Sequence, residues 1–282
     1  LITDSTDEVV SFKYNENNDN GSGQTEYTIN FPEDTECDIL IVGGGGGGSA
    51  GHGGGGGAGQ LVYIHQTLLI GNYNIKVGKG GIGGTNSTQA IKGYDSSFHN
   101  IIVKAGGTNT GVSSDKNGGS GAGGDGFTSD GGTAGYGIKN INTSTFFSGT
   151  VYSYGNNGAD AATTNYLEGG GGGGAETSGL NDGGGNGISG ISEININFKN
   201  HFGTNFGKLE SDNLIYFAGG GGGGRLNGSG GLGGGGSGGN HSISILASDA
   251  IEGTGSGGGG GSGGSASGGN GGSGIVIIRY KT

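Results

Sequence analysis

The chain has 282 residues, of which 81 are glycine and one is proline, and its 12 basic against 23 acidic side chains give a formal charge of −11. No strict Gly-X-Y period accompanies the glycine, which excludes a collagen triple helix. An acidic chain without a Lys/Arg cluster is a poor match for nucleic acid or an anionic membrane surface. The apolar runs fall well short of the roughly 18 residues of a membrane-crossing helix, so no membrane insertion is expected.

In chain order, residues 1–24 read as an N-terminal arm or linker holding one strand candidate, Val9-Val10-Ser11-Phe12-Lys13-Tyr14. The chain begins inside an acidic polar segment without a signal-peptide pattern, which reads as a fragment, a processed product or one domain of a longer chain. Residues 25–282 read as one domain. In it Tyr27, Ile29 and Phe31 alternate with polar residues, the pattern of a half-buried strand. Asp38-Ile39-Leu40-Ile41-Val42 follows and passes without a turn signal into residues 43–59, where glycine fills 13 of 17 positions. Further strands are expected at Gln60-Leu61-Val62-Tyr63-Ile64, Tyr73-Asn74-Ile75-Lys76-Val77, Ile101-Ile102-Val103-Lys104-Ala105, the region of Ile191, Ile194, Ile196 and Phe198, Leu214 to Phe217, Ser242-Ile243-Ser244-Ile245-Leu246, and Ile275 to Tyr280. No amphipathic helix is expected. About ten short strands with glycine in place of long connections predict an all-β fold, an antiparallel β-sandwich with glycine struts projecting from one end.

Ordered glycine loses more conformational freedom than any other residue, so something must offset that cost. A polyglycine II helix can: it has three residues per turn and about 3.1 Å rise per residue, and its N–H and C=O groups point sideways to neighbouring helices. Residues 43–59, 118–137, 169–190, 219–239 and 253–274 would be such struts, each needing the others. Interruptions such as His52, Arg225, Leu226 and Leu232 are expected on the rim or at turns of the bundle.

With these elements placed, the chain resembles a glycine-rich domain found in structural proteins of large DNA viruses and tailed phages. The residues that carry the resemblance are Asp38 to Val42 entering polyglycine, Leu61-Val62-Tyr63-Ile64, Gly71-Asn72-Tyr73-Asn74-Ile75-Lys76-Val77-Gly78, Ser96-Ser97-Phe98, and the closing Gly271-Gly272-Ser273-Gly274-Ile275-Val276-Ile277-Ile278-Arg279-Tyr280. The plan is also similar to the extracellular glycine-rich domain of anaplastic lymphoma kinase and to polyglycine-sandwich adhesins at phage tail-fibre tips. The resemblance implies a TNF-like or jelly-roll-like sandwich carrying a polyglycine II bundle. It further implies a virion surface role as fibre, spike or capsid decoration, with host attachment, self-association or a capsid or fibre partner, and a host-surface glycan or protein as ligand. The alternative is a secreted or cell-surface glycine-rich protein that binds a protein ligand or builds extracellular matrix.

Catalytic motifs are weak. Gly-Gly-Ser-Gly-Gly around Ser237 and Ser262 matches a nucleophile elbow by composition but lacks its strand-to-helix context. The glycine stretches supply no Lys-Ser/Thr of a phosphate loop. His52, His65, His99, His201 and His241 lack metal-ligand spacing, and acidic turns such as Glu33-Asp34-Glu36 lack an EF-hand pattern. No enzyme activity, metal or cofactor is expected. Cys37 stands alone and reads as a small buried side chain. The candidate binding residues are the aromatics Phe146, Phe147, Tyr152 and Tyr154, which sit among adaptable polar neighbours, and His52, Arg225, Leu226 and Asn227 near the strut tips.

Overall fold

The computed structural model describes residues 7–19, 21–68, 70–110, 112–126, 135–138, 149–162, 168–264 and 266–281. The strands among them are β1 (Asp7–Lys13), β2 (Gln24–Phe31), β3 (Thr35–Val42), β4 (Leu61–Leu68), β5 (Gly71–Gly78), β6 (Ser96–Phe98) and β7 (Ile101–Val103). They continue with β8 (Thr150–Tyr154), β9 (Gly190–Ile191), β10 (Ile196–Asn197), β11 (Lys208–Leu209), β12 (Ile215–Tyr216) and β13 (Ile275–Lys281). Two short α-helices accompany them, α1 (Ser113–Lys116) and α2 (Phe198–Phe202). Five strands in the order β1-β13-β3-β4-β8 form one antiparallel sheet and four in the order β2-β5-β6-β7 form another. The antiparallel sandwich expected from the sequence is the fold.

The core explains why β3 is apolar at consecutive positions. Cys37, Ile39 and Ile41 face the four-stranded sheet and pack with Ile64, Ile75, Phe98, Val103, Val276 and Ile278. Leu40 and Val42 point the other way, onto Tyr63, Ile277, Phe198, Phe202 and Phe217. A strand covered on both faces needs apolar side chains on both, so the usual alternation disappears. The five-stranded sheet is therefore a middle layer, and residues 188–217 supply a third. As expected, Cys37 is buried, and burial with the charges of Asp38 and Glu36 pushes its thiol up to about 12.

Within residues 1–24 the expected strand is β1, which pairs with β13 along its whole length and completes the sheet edge. Two other expectations change. The apolar residues from Ile191 to Phe198 form no continuous strand. They make the two-residue pair β9 and β10 and then enter α2, where the Asn197 side chain accepts the Asn200 N–H, Phe198 and Phe202 share the buried face, and Gly203 ends the helix at φ +92°. Residues 242–246 form a turn: the Asn240 carboxamide oxygen accepts the N–H groups of Ser242 and Ile243, and Ser244 takes φ +54°. Local capping at Asn240 replaces the strand ladder there.

Glycine tracts rise from the ends of β3, β4 and β13. The N–H groups of Gly43, Gly46 and Ser49 donate to the carbonyls of Gln60, Gly57 and Gly54; those of Gly44 and Gly47 to Tyr94 and Ile91; those of Gly45 and Gly48 to Gly272 and Gly269. The returning segment repeats the scheme, Gly53, Gly56 and Gly59 donating to Gly261, Gly258 and Gly255, and Gly55 and Ala58 to Gly170 and Gly173. Each third residue meets the same neighbour. That is the hydrogen-bond periodicity a three-residue helix such as polyglycine II would give. Every backbone group so paired is satisfied although buried, which the sideways geometry alone allows.

Candidate functional site

Two places bring chemistry-bearing side chains together. The first is the bundle end farthest from the sandwich, where the chain reverses at residues 49–53. The six steps from Gly43 to Ser49, at the rise of a three-residue helix, correspond to about 19 Å. His52 bridges Ser262 there, and its ring stands edge-on to His241 at 6.3 Å. Arg225 donates its N–H to Gly239 and accepts the N–H of His241. Arg225 and Asn227 take φ +94° and +66°, a left-handed path that forces the chain to turn and leaves Leu226 outward. Burial, followed by the charges of Arg225 and His241, lowers the His52 pKa, so this imidazole is held neutral beside the cation. Exposed Leu226, Ile243, Ile245 and Leu246 give the same end an apolar surface, with Ile243 66% and Leu246 72% accessible.

The second place lies on the outer face of the five-stranded sheet, toward its other end. Register aligns Arg279 of β13, Asp38 of β3, His65 of β4 and Thr150 of β8 in one row across four strands. Asp38 is the centre. Its Oδ1 accepts the Tyr63 hydroxyl at 2.7 Å and lies 2.7 Å from His65 Nδ1, and its Oδ2 accepts Arg279 at 3.0 Å. An ionised carboxylate only accepts, so His65 Nδ1 is the donor to Asp38, and its Nε2 lies 3.6 Å from Glu36 Oε1. From α2, His201 Nε2 comes within 2.9 Å of Asp38 Oδ2, off the direction of a linear hydrogen bond.

Burial opposes ionisation of Asp38, whose side chain is only 10% accessible, yet the His201, Tyr63 and His65 contacts outweigh it and hold the carboxyl well below the ordinary range. The reciprocal effect, after burial, raises the Tyr63 phenol. Arg279 also pairs with Asp7, and Lys281 with Glu36 at 2.9 Å. These groups line a groove of about 480 Å³ whose apolar wall is Tyr152, Ile194 and Ile196.

Residues 21–281 match the family described as a glycine-rich domain. The chain belongs to that family. The same chain has no match among curated proteins.

This glycine-rich domain gathers four of the candidate residues, His52, Arg225, Leu226 and Asn227, at the bundle tip. Tyr152 and Tyr154 stand apart from them on β8, half-buried, where Tyr152 packs 6.3 Å from the Tyr63 ring and Tyr154 donates to Glu193 at 3.1 Å. Phe146 and Phe147 lie outside the described residues. The row of Asp38, His65 and Arg279 was not among the candidates, nor was His201. One signal for it exists in the chain: Asp38 and Arg279 each occupy the covered face of an otherwise apolar strand, where an unpaired charge would be costly. Among the described residues no group of three or more His, Cys, Asp or Glu is placed to hold a metal ion, and no helix is long and apolar enough to cross a membrane.

Proposed function

We propose that this glycine-rich domain is a non-catalytic display module: a sandwich base carries a stiff bundle of glycine struts, and the struts hold a contact face at their far end. The observation that carries this reading is the three-sided hydrogen bonding of the tracts beneath a tip where half-buried Arg225 borders exposed Leu226, Asn227 and residues 241–246. A loop held from below loses little freedom when it meets a partner, so more of its contact energy appears as affinity. The mixture of one cation, two imidazoles and several exposed aliphatic side chains suits a protein or glycan surface.

The resemblance to virus and phage structural domains extends the proposal to its setting. The module sits on the outside of a virus particle as part of a fibre, spike or capsid decoration, attaches it to the host surface, and assembles through its base with copies of itself or with a capsid or fibre partner. Peptide mass spectrometry and antibody labelling of purified particles test that setting. Labelling of intact particles is the expected result. Absence from particles would sink it and favour a secreted or cell-surface glycine-rich protein with a protein ligand. The tip is tested separately by Arg225→Ala combined with Leu246→Ser, which should abolish binding of the purified chain to host cells while leaving its melting temperature unchanged.

A further inference from the structure

We propose that the groove beside Asp38 is a binding site for a neutral saccharide, a second recognition surface distinct from the bundle tip. Its volume of about 480 Å³ lies within the roughly 300–1,000 Å³ usual for small-molecule sites. The lining divides into two kinds of surface. Tyr152, Ile194 and Ile196 form an apolar wall, while Thr150, His65, Glu36 and Arg279 present hydroxyl, imidazole, carboxylate and guanidinium groups. A pyranose ring has the matching division, with C–H faces that lie against an aromatic ring and an edge of hydroxyls that both donate and accept.

Charge selects among polar ligands. The groove holds three carboxylates, Asp7, Glu36 and Asp38, against two fixed cations, Arg279 and Lys281. Arg279 is engaged by Asp7 and Asp38, and Lys281 by Glu36, so these five groups carry a net negative charge that disfavours a sialic acid, sulfate or phosphate. Among the described residues no three ligands are assembled for a metal ion either. What remains is a neutral partner rich in hydroxyls. Asp38 itself is saturated by Tyr63, His65 and Arg279 and acts as a positioning residue. It aims His65 so that Nε2, on a side chain 51% accessible, faces the groove beside Glu36, where imidazole and carboxylate together can meet a sugar hydroxyl. Conformational cost is low because the polar side chains are already fixed by one another.

The inference does not rest on the tip being the contact face, and its failure would leave that reading intact. Saturation-transfer NMR of the intact chain with methyl glycosides of glucose, galactose, mannose and N-acetylglucosamine, and with 3′-sialyllactose, tests it. Transfer to at least one neutral glycoside is expected, weakened about tenfold or more by Tyr152→Ala and unaffected by Arg225→Ala at the tip. Because Tyr152 packs on Tyr63 and its loss could perturb the fold, Ile194→Arg provides a second variant: this side chain is already exposed, and an arginine there blocks the groove without entering the core. No transfer to any neutral glycoside, transfer that survives Ile194→Arg, or transfer to sialyllactose alone would each overturn the proposal.

Discussion

The glycine bundle and the sandwich beneath it are built on opposite packing rules. Between the sheets, side chains fill the space, and Ile41, Ile64, Phe98 and Ile278 are fully buried because their atoms are the core. Between the struts, backbone packs on backbone. A Cβ added to Gly45 would run into the Ser256 carbonyl, and one added to Gly221 into that of Gly258. The first region loses stability when a methyl is removed and the second when one is added. Stability in the sandwich comes from burying apolar surface. In the bundle it comes from satisfying buried N–H and C=O groups at a separation that only glycine permits, which offsets glycine's high entropy of ordering.

The largest effect is expected where this contrast is sharpest. Gly45→Val or Gly221→Val should destabilise the chain by about 3 kcal/mol or more, since the obstructing atoms are backbone and cannot rotate away. For a chain of this size that is a fall of roughly 6 °C or more in Tm. An unchanged Tm would show that the tracts are loosely packed. The converse experiment is Ile41→Ala, which leaves a cavity between the sheets and should cost about 2–5 kcal/mol by denaturant unfolding. If Ile41→Ala proved harmless while Gly45→Ala did not, the sandwich would be a passenger on the bundle, and the comparison would need to be inverted.

A smaller effect is expected at Asp38, on the outer face of the middle sheet toward the end away from the bundle. Asp38→Asn leaves Arg279 without its buried partner and should cost about 2 kcal/mol at pH 7, less than a fully buried pair because Arg279 and His65 reach solvent. The folded protein holds the Asp38 carboxyl below its ordinary value of 3.8. Its contribution is therefore complete above that pH and is lost as pH falls toward the folded value. Acid unfolding curves should become shallower in this variant; an unaltered acid limb would mean the carboxylate contributes nothing.

The smallest effect belongs to Asp125 near the bundle tip, whose carboxylate accepts the Gly54 N–H at 2.8 Å. Burial pushes its pKa up from 3.8 to about 6, against the hydrogen bonds from Gly54 and Ser49. Here the sign reverses: the folded state holds the proton more tightly, so stability falls as pH rises through that interval. Asp125→Asn should remove that slope, and a slope that persists would assign it to another group.

Much of the sandwich was legible because its strands announce themselves locally. Ile39 to Val42, Leu61 to Ile64 and Ile275 to Ile278 are apolar without interruption, and a middle layer covered on both faces requires that. The tip was partly legible, because His52, Arg225 and Leu226 break long glycine runs and a break in a packed strut must lie where space opens. Two local readings failed for local reasons. Asn197 and Gly203 cap a helix over residues whose apolar spacing also fits a strand, and Asn240 turns a segment whose Ile243 and Ile245 alternate like one.

The sequence by itself determined where the chain could be strand and where it could only be glycine lattice, since both follow from side chains present or absent within a few residues. Only the tertiary structure decided what stands beside what. Asp38 and Arg279 are 241 residues apart and meet because β13 closes onto β3 in one register. A shift of one residue in that register would turn Arg279 into the opposite face and dissolve the groove. Pairing of this kind is set by the fit of both sheet faces and of every strut above them, and no short stretch of the chain contains that information.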